Sequence, residues 1–406
     1  VVKANLTLMT ALLAFCSIAW ADCPTGDLNR DCRVNASDLL LFTQSWLVGS
    51  HCPADLNRTG NVNAVDLALF ANQWRQTGCP IVINEILAHA HAEASDWVEL
   101  YNVSDVPVDI GGWYLSDNPN DLWRYQIPAG TIVEPNGYVV LYESTNFANP
   151  FDPGVFTPFA FSENGEGVYL SSGDDPLYPQ FVVSEVFGAS ETSVSFGRYL
   201  TSDGTYHFVF MSELTPGRAN AYPLVGPVVI DEIMYHPPGN ADAEYVELLN
   251  ISKGPVTLFD FSCNEPWRLT DDSGIDFYFP SDTPVTLDPG RHVLLVRDPR
   301  AMRIYHVPED AAMFDWGSGR LANQGETLRL IRPGDVDNKG VRYWIEVDRV
   351  TYSDGSHPET FANKLDPWPI EADGQGLSLN RLFPSRYGND PNNWHATIPT
   401  PGAVND

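Results

Sequence analysis

Basic residues are scarce in this chain. Only 23 Lys and Arg stand against 53 Asp and Glu, and the formal net charge at pH 7 is -30 over 406 residues. So few cations cannot neutralise a phosphate backbone, which argues against nucleic acid or an anionic membrane as partner. The carboxylate excess favours solubility and draws cations. Catalytic signatures are missing as well: no nucleophile elbow, P-loop, dinucleotide-binding fingerprint or HExxH helix occurs. Without a CxxC pair, the cysteines do not read as a zinc site. Beyond residue 21 no apolar run is long enough to span a bilayer. The run at 1–21, "VVKANLTLMTALLAFCSIAWA", holds one Lys and ends on Ala19 and Ala21, which reads as a secretory signal cleaved after Ala21. A secreted or cell-surface location is therefore expected, with no membrane span.

Hydrophobic residues make up 43% and aromatics 12%, enough for packed cores in several domains. Besides Cys16 in the signal, the cysteines are Cys23, Cys32, Cys52, Cys79 and Cys263. Four of them fall within 22–79, a segment too small for much core, where disulfides are expected. Three connectivities are possible and the sequence does not choose among them. Cys263 is left over and is expected to be a buried, unpaired thiol.

Two stretches, "GDLNRDCRVNASDLLLF" and "ADLNRTGNVNAVDLALF", repeat the same alternation of Asp and Asn. On a twelve-position calcium loop the first supplies Asp27, Asn29, Asp31, Asn35 and Asp38, with the Arg33 carbonyl at position 7. The second supplies Asp55, Asn57, Thr59, Asn63 and Asp66, with the Asn61 carbonyl at position 7. Calcium needs six to eight hard oxygens, and alternate side chains of a tight loop converge to give them. Gly60 takes the sharp turn at position 6, where the first copy has Cys32 and incurs backbone strain. Thr59 replaces an acid, so the second site should bind more weakly. Leu39, Phe42 and Trp46, then Leu67, Phe70 and Trp74, follow at helical spacing as an apolar stripe.

Two loop–helix units in tandem, each with Asp at position 12, resemble a type I dockerin over 22–79. The resemblance implies a calcium-folded docking module whose partner is a cohesin-like or other envelope protein. It also implies that Ala36, Ser37, Ala64 and Val65, at positions 10 and 11 of the loops, carry partner specificity.

The remainder is a longer duplication. "IVINEILAHAHAEASDWVELYNVS" at 81–104 answers to "VVIDEIMYHPPGNADAEYVELLNIS" at 228–252, and "TPGRAN" at 215–220 answers to "TPGAVN" at 400–405. The expected boundaries are 81–220 and 228–406. Short alternating runs such as "DWVELYNV", "GYVVLY" and "HVLLVRD", bounded by Gly, Pro, Asn and Asp, predict antiparallel strands and an immunoglobulin-like sandwich in each copy, with Trp113 and Trp267 in the cores. "INEI", "DWVELYN" and "GWYLSD", with "IDEI", "EYVELLNIS" and the closing "LSLNRL" and "NNWHATIPTPGAVN", resemble the lamin tail domain family over nearly all of 81–406. The resemblance implies interaction or scaffold modules. The expected fold class is thus multidomain: a small all-α calcium-loop module and two all-β immunoglobulin-like sandwiches.

Glu85 with Glu99, and Glu232 with Glu247, are the candidate catalytic carboxylates of a polysaccharide hydrolase. A structural role, bonding backbone or the neighbouring Asn102 and Asn250, is favoured, because fold alone gives no activity and duplicated catalytic pairs would be odd. His89, His91 and Glu93 in "HAHAE" and the acidic "DVDNKG" at 335–340 read as surface loops. No catalytic residue is assigned. The expected function is non-enzymatic, calcium-dependent docking with two sandwich modules for binding or scaffolding; polysaccharide remains a possible ligand.

Overall fold

The computed structural model describes residues 23–30, 32–47, 52–76, 78–172, 181–337, 339–361 and 364–405. The expected signal and the loop ligand Asp31 lie outside the described residues.

The N-terminal module has two helices, α1 (Ala36–Gln44) and α2 (Ala64–Asn72). Each opens with a capping box. Asn35 and Asn63 accept first-turn amides, while Asp38 and Asp66 accept the amides of Asn35 and Asn63 in return. The copies are then cross-tied. Leu47, leaving α1, donates its N–H to Val62 of the second loop at 3.1 Å, and Arg75, leaving α2, donates to Val34 of the first at 2.8 Å. Phe42 and Phe70 meet at 5.3 Å between ring centroids and form, with Val34, Ala54 and Val62, a very small core. The expected stripe is narrower than its spacing suggested. Leu39, Leu67, Trp46 and Trp74 stay exposed, since a pair of nine-residue helices has room between them for one aromatic each. Cys23 pairs with Cys32, while Cys52 and Cys79 are free thiols. Cys263 is unpaired as expected but half-buried rather than buried.

Each longer copy folds as two facing sheets. In the first, strands run in the order 206–210, 196–200, 81–87, 97–102, 138–142, opposed by 125–126, 114–116, 166–171, 182–187. In the second, the order is 312–315, 292–296, 245–250, 228–234, 378–381, 394–397, opposed by 276–278, 268–270, 325–336, 342–353. All pairings in these sheets are antiparallel except that of 292–296 with 312–315. Val98, Leu100, Leu115 and Leu170 meet between the sheets of the first copy, and Val246, Leu248, Leu269 and Leu330 between those of the second. Trp267 lies in its core as expected, whereas Trp113 packs on the rim of the other.

The first strand of each copy carries a bulge at the same place. Register slips between Ile83 and Glu85 opposite Leu100 and Glu99, and between Ile230 and Glu232 opposite Leu248 and Glu247. The extra residue, Asn84 or Asp231, twists the strand so that both glutamates point inward. Another shared device is a left-handed glycine where the third strand of the opposing sheet begins. Gly165 has φ 93° and Gly325 has φ 105°. A β-carbon there would stand 2.6 Å from the Gly188 carbonyl carbon in one copy and 2.3 Å from the Tyr352 oxygen in the other. Replacing Gly165 or Gly325 by Ala is expected to cost at least about 2 kcal/mol, from the left-handed conformation plus overpacking. A lower midpoint in urea denaturation, with the N-terminal module unchanged, checks this.

Candidate functional site

The acidic loops and the glutamate pairs are the places where chemistry-bearing side chains converge. In the second loop Asp55 accepts the amides of Thr59 at 3.1 Å and Gly60 at 2.7 Å. Asp66 closes the loop by accepting from Asn57 at 3.1 Å and Asn63 at 2.8 Å. The first loop repeats this. Asp27 accepts from Cys32 at 2.6 Å, and Asp38 accepts from Leu28 at 2.8 Å, Asn29 at 3.1 Å and Asn35 at 2.8 Å. Arg30 and Arg58 at position 4, and Cys32 and Gly60 at position 6, are all left-handed. Cys32, with φ 60°, therefore carries the strain anticipated for it. Asp38 and Asp66 are fully buried, and among the described residues neither is in an ion pair with a base. Buried carboxylates with only amide donors, ringed by amide, hydroxyl and carbonyl oxygens, are a donor set that fits a hard cation such as calcium. Ala36, Ser37, Ala64 and Val65 all face solvent at the helix starts.

Glu85 and Glu99 stand directly opposite each other on adjacent strands, as do Glu232 and Glu247, and all four are completely buried. Most of their acceptors are consumed from the far end of each copy. Ser195 donates its hydroxyl to Glu85 at 2.6 Å, and Thr215 donates its amide at 3.2 Å and also its hydroxyl. Glu99 accepts from Asn84 at 2.7 Å and from the Gly217 amide. In the second copy Ser378, Tyr245 and the Thr400 amide serve Glu232, while His292 and the Gly402 amide serve Glu247. Each Thr-Pro-Gly segment is thus strapped down by a pair of buried carboxylates. The backbone role foreseen for these acids holds, but Asn102 and Asn250 are not their partners. Those asparagines instead close turns, reaching Val106 and Gly254. The strap escaped sequence reasoning, although the coincidence of repeated "TPG" with repeated glutamates was a usable signal.

Family comparison bears on this geometry. The lamin tail domain model matches residues 75–177 and 223–354, together more than half of the chain. The chain belongs to the lamin tail domain family. The model of the dockerin type I domain matches residues 25–74, so a dockerin precedes the two lamin tail domains. Among curated proteins none matches. Among solved structures, a DUF4876 family protein from Bacteroides thetaiotaomicron is similar at 11% identity, covering 79% of this chain and 96% of its own. The TM-score of 0.30 is too low to carry an argument.

Within the lamin tail domains the other flagged residues have local work. His89 bonds to the Ser190 carbonyl at 3.2 Å and to Thr192 at 3.1 Å, joining loops of the first domain. His91 caps the amide of Glu93 at 3.3 Å, in an exposed turn. Asp337 of the acidic stretch accepts the amides of Lys339 and Val341, both at 2.8 Å, at a hairpin tip. No helix among the described residues is long and apolar enough to cross a membrane.

Burial pushes the Glu99 carboxyl up to about 7, with the Gly217 and Asn84 bonds opposing and Glu85 adding to it. Between the ordinary carboxylate value of 4.5 and about 7, the folded domain then holds a proton that the unfolded chain has lost. Stability accordingly falls as pH rises through that window and levels off above it. Opening of the first strap, read by amide exchange at Thr215 and Gly217 and corrected for intrinsic rates, is expected to become easier from pH 4.5 to 7. Glu99→Gln should flatten that slope. Unchanged pH dependence in the variant would assign the slope to other groups.

Proposed function

We propose that this protein is an exported, non-enzymatic module carrier. Its dockerin binds calcium in both loops and attaches the chain to a cohesin-like or envelope protein, while the lamin tail domains present a binding or scaffolding surface. The observation that carries this reading is the duplicated loop, with its buried acids, its shared left-handed turns and its cross-tied helices. In this reading Asp27, Asn29, Asp31, Asn35 and Asp38, with the Arg33 carbonyl, hold one ion. Asp55, Asn57, Thr59, Asn63 and Asp66, with the Asn61 carbonyl, hold the other. Calcium would supply the positive charge that the buried acids lack. The helices and the turns that leave them expose Leu40, Leu47 and Val65 beside Leu39, Leu67, Trp46 and Trp74, an apolar surface of the kind that a protein partner covers.

The enzymatic alternative is weaker. A hydrolase needs carboxylates that can reach a glycosidic bond, and Glu85, Glu99, Glu232 and Glu247 are sealed and engaged with the straps. A second reading treats the dockerin calcium as a staple within the chain. It is favoured by Asp105, which donates its amide to the Arg30 carbonyl at 2.9 Å and so ties the first loop to the first sandwich.

Calcium at a hundredfold excess over its dissociation constant should stabilise the dockerin by about 2.7 kcal/mol per site. Asp27→Ala and Asp55→Ala should each abolish one site, seen as a stoichiometry falling from two to one by calorimetry. Thr59→Asp, which restores the missing acid, should tighten the second site several-fold. The mature chain, immobilised in calcium with envelope and secreted proteins passed over it, is expected to retain a partner that chelator releases. Retention should be lost with Val65→Arg, which leaves the calcium ligands intact. Retention that persists in chelator, or in both Asp variants combined, would overturn the docking reading and leave the staple.

A further inference from the structure

The two lamin tail domains differ where the strap meets the bulge, and the difference has the chemistry of a metal site. In the first domain the bulge residue Asn84 donates to Glu99 at 2.7 Å and to Asn220 at 2.7 Å, while the Asn220 amide returns to the Asn84 carbonyl at 3.1 Å. Every group there has a complementary neighbour. In the second domain the bulge residue is Asp231, the cross-strand acid is Glu247, and His292 takes the register position held by Tyr138 in the first.

Asp231 has no amide N–H to give Glu247 as Asn84 gives Glu99, so two carboxyl groups now lie close together inside the fold. Asn405 donates to Asp231 Oδ2 at 3.0 Å and to its carbonyl at 3.1 Å, and His292 Nδ1–H donates to Glu247 Oε1 at 2.6 Å. Asp231 Oδ1 is left buried with no hydrogen-bond partner, on a residue that is 1% exposed. One donor atom each from Asp231, Glu247 and His292 lie within 4.8 Å of one another.

The charge balance points the same way. Asp231, Glu232 and Glu247 are all buried here; His292 pairs with Glu247 alone, and Arg381 is already bound to Asp348 at 2.7 Å and to the Ile230 carbonyl at 2.9 Å. A buried anion without a paired cation is costly, and a divalent ion would answer that deficit. An imidazole nitrogen beside carboxylate oxygens suits zinc or a neighbouring transition metal, not calcium, which wants oxygens alone.

We propose that the second lamin tail domain binds a zinc-class divalent ion through Asp231, Glu247 and His292, a site that the first domain does not possess. The ion displaces the proton shared by Glu247 and His292, which leaves to solvent. The strap at 400–405, already bonded to both acids, lies over the site and couples metal binding to closure of the domain.

The test uses the full mature chain in saturating calcium, so that the dockerin loops are filled. Cobalt(II) should produce visible absorption bands of a low-coordinate site, and one equivalent of zinc should remove them. Asp231→Asn and His292→Tyr each install the residue that the first domain already carries at that position, so both variants should fold. Near-UV circular dichroism verifies that. Each should lose at least about tenfold in zinc affinity while calcium binding is unchanged. Should either variant fail to fold, the imidazole nitrogen shifts of histidine-labelled wild-type chain, followed on zinc addition, decide whether His292 is a ligand. No cobalt band, zinc affinity equal in wild type and variants, or a His292 resonance unmoved by zinc would each overturn the proposal.

Discussion

Two glutamates can be buried side by side only if their oxygens find donors, and in each lamin tail domain most of those donors arrive from the far end of the repeat. Thr215 reaches Glu85 across 130 residues, and Thr400 reaches Glu232 across 168. The bulge turns the acids inward, and the strap satisfies them on two interior strands of the sheet. Removing any one of these leaves polar groups stranded in an apolar interior, a cost of about 1–3 kcal/mol per group. The conservative logic of the domain is therefore polar rather than hydrophobic. The cores on either side would tolerate many apolar exchanges, but the carboxylate pair would not tolerate the loss of its donors.

The same constraint explains how the two copies could diverge. At the bulge an amide in the first domain completes its hydrogen bonds locally, whereas the second domain places a carboxylate there and brings in His292 to serve Glu247. The frame of strand, bulge and strap is common to both, and only the group at its centre has changed. Contacts between the domains are of another kind. The Tyr387 amide donates to the Tyr222 hydroxyl at 3.0 Å, His207 meets Tyr387 at 3.1 Å, and Tyr199 packs edge-on against both tyrosines. These aromatic and polar contacts join the repeats without entering either core.

Much of the architecture was legible because it rests on periodic or repeated signals. The Asx alternation gave the loops, strand alternation gave the sandwiches, and duplication tied the two copies together. What escaped were features set by contacts distant in sequence. Helical spacing marks an apolar stripe on α1 and α2 but not how much of it is covered, and Leu39 and Trp46 are exposed because only Phe42 and Phe70 fit between the helices. The acids were recognised as structural, but their partners were sought nearby, at Asn102 and Asn250, and lie instead in the strap. His292 carried no signal, since its counterpart is Tyr138 and no motif surrounds it. The pairing of Cys23 with Cys32 was one of several open choices, and only the fold of the first loop brings those two together.

The long reach of the strap has a bearing on how such a chain matures. While only the first strands of a repeat are available, their inward-facing acids lack most of their donors, so an early hairpin of those strands is penalised by its own buried charge. Loop closure over so many residues is slow, and contacts of this separation give no reward until nearly the whole repeat is present. Each domain is thereby built to remain open until its last segment can engage. For a polypeptide synthesised from one end to the other, a latch at the trailing end is a timing device.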